Sequence, residues 1–182
     1  MTQRRLSLFG ATGSVGQSTL DLVRRDGEAW RVTVLTANSD VAELAKLARE
    51  FRPDVAVIAD AARLNELSDA LAGSGIEAAA GAGALVEAAQ RPTDLVMAAI
   101  VGTAGLAPTM AALAAGYDVA LAHKEALGSA GALMTAAART PGAKIPPVDS
   151  QHNAIFQCLA GGPHHQGPPI NLPPDAAALA TP

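Results

Sequence analysis

Three glycines spaced three apart, Gly10, Gly13 and Gly16, join a short apolar run, Leu6–Phe9, to a stretch with helical apolar spacing from Ser14 to Arg25. That pattern can cradle a pyrophosphate. Gly10 allows the tight turn, Gly13 lets the backbone approach the phosphates, and Gly16 lets the helix pack close to the strand. The helix N-terminus itself attracts the anion. The alternative is a glycine-rich turn with no ligand, and the strand–turn–helix setting at the start of the chain favours the binding loop.

A second group with chemical potential stands at the end of the next apolar run. In dinucleotide sites an acidic residue there bonds the ribose 2′-hydroxyl of NAD, and a basic one accommodates the 2′-phosphate of NADP. Here Asn38 and Ser39 are neutral, and Asp40 is placed to cap a helix, with Glu43 as the other half of a capping box. This leans away from strict NAD specificity without offering a positive charge, so the residues leave the choice of cofactor open. Lys124 follows a buried strand, where a lysine holds a substrate phosphate or polarises a carbonyl. A solvated lysine paired with Glu125 is its alternative. Asp149 and Ser150, in Asp149-Ser150-Gln151-His152, could bind a hard divalent cation and a phosphate or hydroxyl. Read alone, they favour capping a helix over Asn153–Leu159.

These groups need strands and helices to position them, and the apolar periodicity supplies both. Strands are expected at Leu6–Phe9, Arg31–Thr36, Asp54–Ile58, Ile76–Ala80, Asp94–Val101, Asp118–Ala122 and Ile145–Val148. Helices are expected at Ser14–Arg25, Val41–Phe51, about Ala61–Ala72 and Gly83–Ala89. A further helix has Pro108 in its first turn and Gly116 just past its end, and the last follows His123-Lys124-Glu125 and runs to about Ala138. Strict alternation of this kind predicts an α/β fold, a doubly wound, mostly parallel Rossmann-like sheet, with only the start of a catalytic domain. The expected division is 1–144 for the nucleotide-binding domain, 145–162 for the start of the second, and 163–182 for an extended or disordered tail holding six prolines.

Composition narrows the class. Hydrophobic residues make up 49% of the 182, but aromatics only 3%, so Ala, Val, Leu and Ile must build the core. A formal charge of −4 with no basic face argues against nucleic acid. The apolar stretches are broken by Gly and Pro, which argues against a membrane span, and the start of the chain is too quickly broken by glycine for a signal peptide. One cysteine, Cys158, rules out an internal disulfide and is read as a core residue. The expected setting is the cytoplasm.

Taken together, the motifs resemble the 1-deoxy-D-xylulose 5-phosphate reductoisomerase family. The resemblance is carried by Gly10-Ala11-Thr12-Gly13-Ser14-Val15-Gly16, Val96-Met97-Ala98-Ala99-Ile100-Val101-Gly102, Leu121-Ala122-His123-Lys124-Glu125-Ala126-Leu127 and Val148-Asp149-Ser150-Gln151-His152-Asn153-Ala154-Ile155-Phe156-Gln157. It implies an oxidoreductase that rearranges a phosphorylated ketose and reduces the product with NADPH, giving 2-C-methyl-D-erythritol 4-phosphate for isoprenoid synthesis. A divalent cation, Mn, Mg or Co, would chelate the substrate oxygens. By the same resemblance Thr12, Gly13, Ser14 and Val15 hold the pyrophosphate side of NADPH, and Asn38, Ser39 and Asp40 the adenosine end. His123 and Glu125 flank the cofactor, Lys124 contacts substrate, Asp149 and Gln151 stand at metal-ligand positions, and Ser150 and Gln151 face substrate.

Three departures follow. The family has Asn where this chain has His123, and a Glu metal ligand where it has Gln151. The match dissolves after Gly162, short of the family's further catalytic and helical regions. The resemblance therefore implies a truncated family member that binds NADPH and turns over little or no substrate by itself. A non-catalytic NADPH-binding module or relic is the alternative. An unrelated dehydrogenase of the homoserine or dipicolinate reductase type is disfavoured by the Asp149–Gln157 motif. Family members pair as dimers, and a homodimer remains an open expectation.

Overall fold

Apolar runs and amphipathic stretches become strand and helix in turn. A computed structural model describes residues 3–122, 124–139 and 143–146 of the chain. The first half runs β1 (Arg4–Phe9), α1 (Ser14–Arg25), β2 (Trp30–Ala37), α2 (Val41–Phe51), β3 (Val55–Ile58), α3 (Leu64–Ala70) and β4 (Glu77–Ala80). The second runs α4 (Gly81–Ala89), β5 (Leu95–Ala98), α5 (Leu106–Ala114), β6 (Val119–Leu121) and α6 (Lys124–Arg139). Short 3₁₀ turns at Ala61–Arg63 and Gly102–Gly105 lead into α3 and α5.

The strands lie in one sheet in the order β4-β3-β2-β1-β5-β6, and every pairing is parallel. The chain thus winds outward from β1 to β4, then returns through α4 to the other side of β1. The expected doubly wound architecture is observed. Its consequence is a switch point between β1 and β5, where the connections leave in opposite directions and open a crevice at the carboxyl ends of the strands.

Alternating side chains divide the core between the two faces of the sheet. Leu6 and Leu8 of β1, with Ala56 and Ile58 of β3, pack with Leu20 of α1, Leu44 and Leu47 of α2 and Leu67 of α3. Phe9, Val55 and Val57 point the other way, to Leu85 of α4, Leu113 of α5 and Met134 of α6. Along β2 the alternation breaks once. Val32 and Leu35 share one face although three residues apart, because the register with β1 shifts between Leu6 and Ser7. Thr33 is the extra residue. Its hydroxyl donates to the Leu6 carbonyl at 3.2 Å and lies 3.1 Å from Ser7 Oγ, so neither buried hydroxyl is left unsatisfied.

Local signals mark the helix ends well. Asp40 Oδ1 accepts from the Glu43 amide at 3.0 Å, the expected cap of α2. The Glu43 carboxylate does not close the reciprocal half of a capping box; it bonds Gln17 of α1 and Lys46 instead.

Three expectations need correction. The apolar run Asp94–Val101 is strand only over Leu95–Ala98. Its neighbour β1 ends at Phe9, whose carbonyl takes the Ala99 amide at 2.8 Å, and beyond that point no strand remains to pair with. The stretch Ala61–Ala72 is a 3₁₀ turn and a seven-residue helix rather than one helix. Finally, Ile145 and Pro146 are not strand, while Pro147 and Val148 lie outside the described residues. The Lys144 amide is taken by the Asp118 carboxylate at 2.8 Å, and Pro146 has no N–H, so a ladder beside β6 cannot propagate.

At the opposite end of the sheet from the crevice, Arg5 and Asp94 tie β1 to the segment before β5. Asp94 Oδ2 accepts from the Arg5 amide at 2.7 Å, and Oδ1 from the guanidinium at 2.9 Å. The Arg5 side-chain bond, reinforced by its backbone bond, holds the Asp94 carboxyl below its ordinary range. A carboxyl depressed on folding stabilises the chain above its unfolded pKa, and that contribution is lost as pH falls through the lower, folded value. Asp94→Asn is therefore expected to be less stable than the wild type near neutral pH. The difference should close as pH falls through the lowered folded value, measured by denaturant unfolding across the acid range. The effect is small, because both side chains are about 40% exposed. A gap independent of pH would assign it to packing. No helix among the described residues is long and apolar enough to cross a membrane.

Candidate functional site

The switch-point crevice is built on the glycine loop. Gly10 leaves β1 with φ +91°, a conformation that side-chain-bearing residues rarely adopt. The turn is pinned to the end of β2 by Thr36, which is fully buried: its hydroxyl accepts the Gly10 amide at 3.0 Å and its carbonyl the Ala11 amide at 2.7 Å. Gly13 then begins α1 as its N-cap without any side-chain cap bond. Helices leave their first amides without intrahelical partners, and here no side chain takes them, so they remain for a ligand.

The three glycines differ in why they are glycine. A Cβ on Gly16 would overlap the Gly10 carbonyl and sit 2.7 Å from the Ala11 carbonyl oxygen, so the close helix–strand approach demands its absence. A Cβ on Gly10 would come within 2.7 Å of the Ala99 carbonyl oxygen. Gly13 has extended backbone, φ −78° and ψ 168°, and a Cβ there would meet only the Gly10 carbonyl, at an ordinary 3.5 Å. Nothing in the fold requires glycine at 13; the space is kept open toward the crevice.

The crevice is a cavity of about 390 Å³, within the range of small-molecule sites. Gly10, Thr12, Gly13, Ser14 and Val15 form one side. Ala37 and Asn38 from the tip of β2, Ala59 after β3 and Leu85 of α4 extend it. The opposing wall is Ala99, Ile100, Val101 and Ala104, the residues that follow β5. Every lining residue among those described is neutral, so their attraction for an anion would rest on backbone amides and the dipole of α1 rather than on a cation.

The structure thus gathers Thr12, Gly13, Ser14, Val15 and Asn38 into one cleft. Ser39 and Asp40 follow Asn38 but do not line it, and Asp40 is engaged as the α2 cap. Lys124 and Glu125 open α6 directly after β6, at the same end of the sheet. Their side chains, together with His123, Asp149, Ser150 and Gln151, lie outside the described residues. Among the described residues no group of three or more His, Cys, Asp or Glu could hold a metal ion. Sequence reasoning missed Thr36 and the wall Ile100–Ala104. The available signal was the pair Gly102 and Gly105 just after an apolar run, which marks chain turning at a strand end rather than continuing as strand.

The sequence model of 1-deoxy-D-xylulose 5-phosphate reductoisomerase matches residues 6–131. The chain belongs to this family. The reductoisomerase of Ruegeria sp. (strain TM1040) is 56% identical over 161 residues, 88% of this chain and 41% of that protein. The solved reductoisomerase of Zymomonas mobilis in complex with NADPH superposes with a TM-score of 0.84 at 54% identity, covering 90% of this chain and 42% of the other. A further reductoisomerase structure, in complex with NADPH, fosmidomycin and magnesium, gives 0.81 at 41% identity over 85% of this chain and 38% of that one. The chain therefore spans about two fifths of the length of these reductoisomerases. The matched residues, 6–131, take in every residue that lines the cleft.

Proposed function

We propose that the cleft at the carboxyl ends of β1 and β5 holds NADPH. In this reading the pyrophosphate lies against Thr12, Gly13, Ser14 and Val15, and Asn38, Ser39 and Asp40 meet the adenosine end. The observation that carries it is Gly13: extended backbone, no fold requirement for glycine, and an uncapped helix start beside it. The solved reductoisomerases with NADPH at 54% and 41% identity support the same occupant. Bound NADPH supplies hydride. The chain's own residues orient it, with the amides of α1 balancing the phosphate charge and the apolar wall after β5 shielding it from water.

The activity proposed for the family member is the NADPH-dependent isomerisation and reduction of 1-deoxy-D-xylulose 5-phosphate to 2-C-methyl-D-erythritol 4-phosphate, in the cytoplasm. Here Lys124 and Ser150 contact the substrate, and His123 and Glu125 flank the cofactor. Asp149 and Gln151 would face a divalent cation, Gln151 also lying close to substrate. This donor pair brings one carboxylate and one neutral amide, a weaker set for a hard cation than two carboxylates. The second reading, NADPH binding without turnover by this chain, rests on that missing charge.

Calorimetric titration with NADPH and with NADH tests the first reading, and loss of NADPH absorbance with deoxyxylulose phosphate and Mn²⁺ tests the second. The expected result is saturable NADPH binding with little or no turnover. No binding of either nucleotide would end the cleft assignment. Metal-dependent NADPH oxidation would end the binding-only reading and show that this chain turns over substrate.

A further inference from the structure

The wall of the cleft after β5 is set by backbone contacts rather than by the sheet ladder. The Ala99 amide makes its bond to the Phe9 carbonyl at 2.8 Å, and past it the chain runs against glycine twice. A Cβ on Gly10 would lie 2.7 Å from the Ala99 carbonyl oxygen and 3.2 Å from the Ile100 nitrogen. A Cβ on Gly105 would lie 2.9 Å from the Ile100 carbonyl oxygen and 3.1 Å from its Cβ. Gly105 is buried, and its φ of −79° and ψ of −13° are ordinary right-handed helical values. Its conformation makes no demand for glycine; only the contact with Ile100 does. Gly83 and Gly131, by contrast, have nothing within 4 Å of an added Cβ.

We propose that Gly105 is a positioning residue for the cofactor. By letting the turn before α5 sit directly on Ile100, it holds Ile100, Val101 and Ala104 at the width that admits the dinucleotide. This rests on the reading of the cleft as the NADPH site. A methyl at 105 cannot be absorbed on the β5 side, where Gly10 backs the Ala99–Ile100 peptide and the Phe9 carbonyl anchors Ala99. The turn carrying Ala104 must then move instead, and the wall with it.

The test compares wild type, Gly105→Ala and the exposed control Gly83→Ala by NADPH affinity, the emission of NADPH at saturation, pyrophosphate affinity and thermal unfolding. For Gly105→Ala, NADPH affinity is expected to fall about tenfold, with a shifted emission maximum, while pyrophosphate binding on the glycine loop stays within about twofold. A role in folding alone would lower both affinities in step with the folded fraction and leave the emission of the bound form unchanged; that result overturns the proposal, as does an unchanged NADPH affinity. Should the variant not fold, the wild-type amide resonances decide. Those of Ile100 and Gly105 are expected to move on NADPH and not on pyrophosphate, and stillness on NADPH overturns the proposal. Wild-type chain that binds pyrophosphate but no NADPH fails the cleft reading itself, and the proposal with it.

Discussion

Gly16→Ala is expected to cost the chain a large share of its stability. The added Cβ would overlap the Gly10 carbonyl and lie 2.7 Å from the Ala11 carbonyl oxygen, so the obstacle is backbone and cannot rotate away. Nor can the backbone yield, because Thr36 holds it through the Gly10 amide at 3.0 Å and the Ala11 amide at 2.7 Å. Overpacking in cores costs about 1–3 kcal/mol, and contact with pinned backbone belongs at or beyond the upper end. Against a total stability of about 5–15 kcal/mol, a loss near 3 kcal/mol is large. It should lower the thermal midpoint by roughly 10 °C, read by circular dichroism. A midpoint within about 2 °C of wild type would show that α1 can slide away from β1 at no cost, contrary to the packing described.

Gly13→Ala, three residues earlier and chemically the same change, is expected to do the opposite. With extended backbone and its nearest neighbour at 3.5 Å, the methyl fits the fold without strain. The unfolded chain loses freedom, while alanine is a poorer N-cap than glycine, so stability should stay within about 1 kcal/mol of wild type. NADPH affinity should nevertheless fall on the order of a hundredfold, because the methyl stands where the pyrophosphate must approach the amides of α1. Calorimetry on the folded variant reads this directly. Undiminished binding would mean that the dinucleotide does not pass over Gly13. The pair of variants separates the glycine that the fold requires from the glycine that the ligand requires, a distinction invisible in the spacing of the motif.

On the proposed reading the cleft draws its anion affinity from helix amides, with no charged residue among the described residues that line it. Discrimination at the adenosine end then depends on Asn38 and its neighbours rather than on an arginine or lysine in the cleft, which is why the NADH comparison belongs in the first titration.

What could be read directly from the chain was what is local. The bounds of α1 and α2 follow from short-range signals, an apolar stripe and the Asp40 cap, whose partners lie within a few residues. The alternation of strand and helix determined the doubly wound class, and the glycine spacing located one side of the cleft. The other side was not legible. Ile100, Val101 and Ala104 carry no chemical signature, and as an apolar run they read as more of β5. The strand stops at Ala98 because β1, ninety residues away in the chain, stops at Phe9 and turns. The bulge at Thr33 and the anchoring of the loop by Thr36 have the same character, since each depends on which strand lies alongside. A hydrogen-bond ladder and a close backbone contact are satisfied by partners remote in sequence. Only the tertiary structure could therefore decide where β5 ends, and what Gly105 touches.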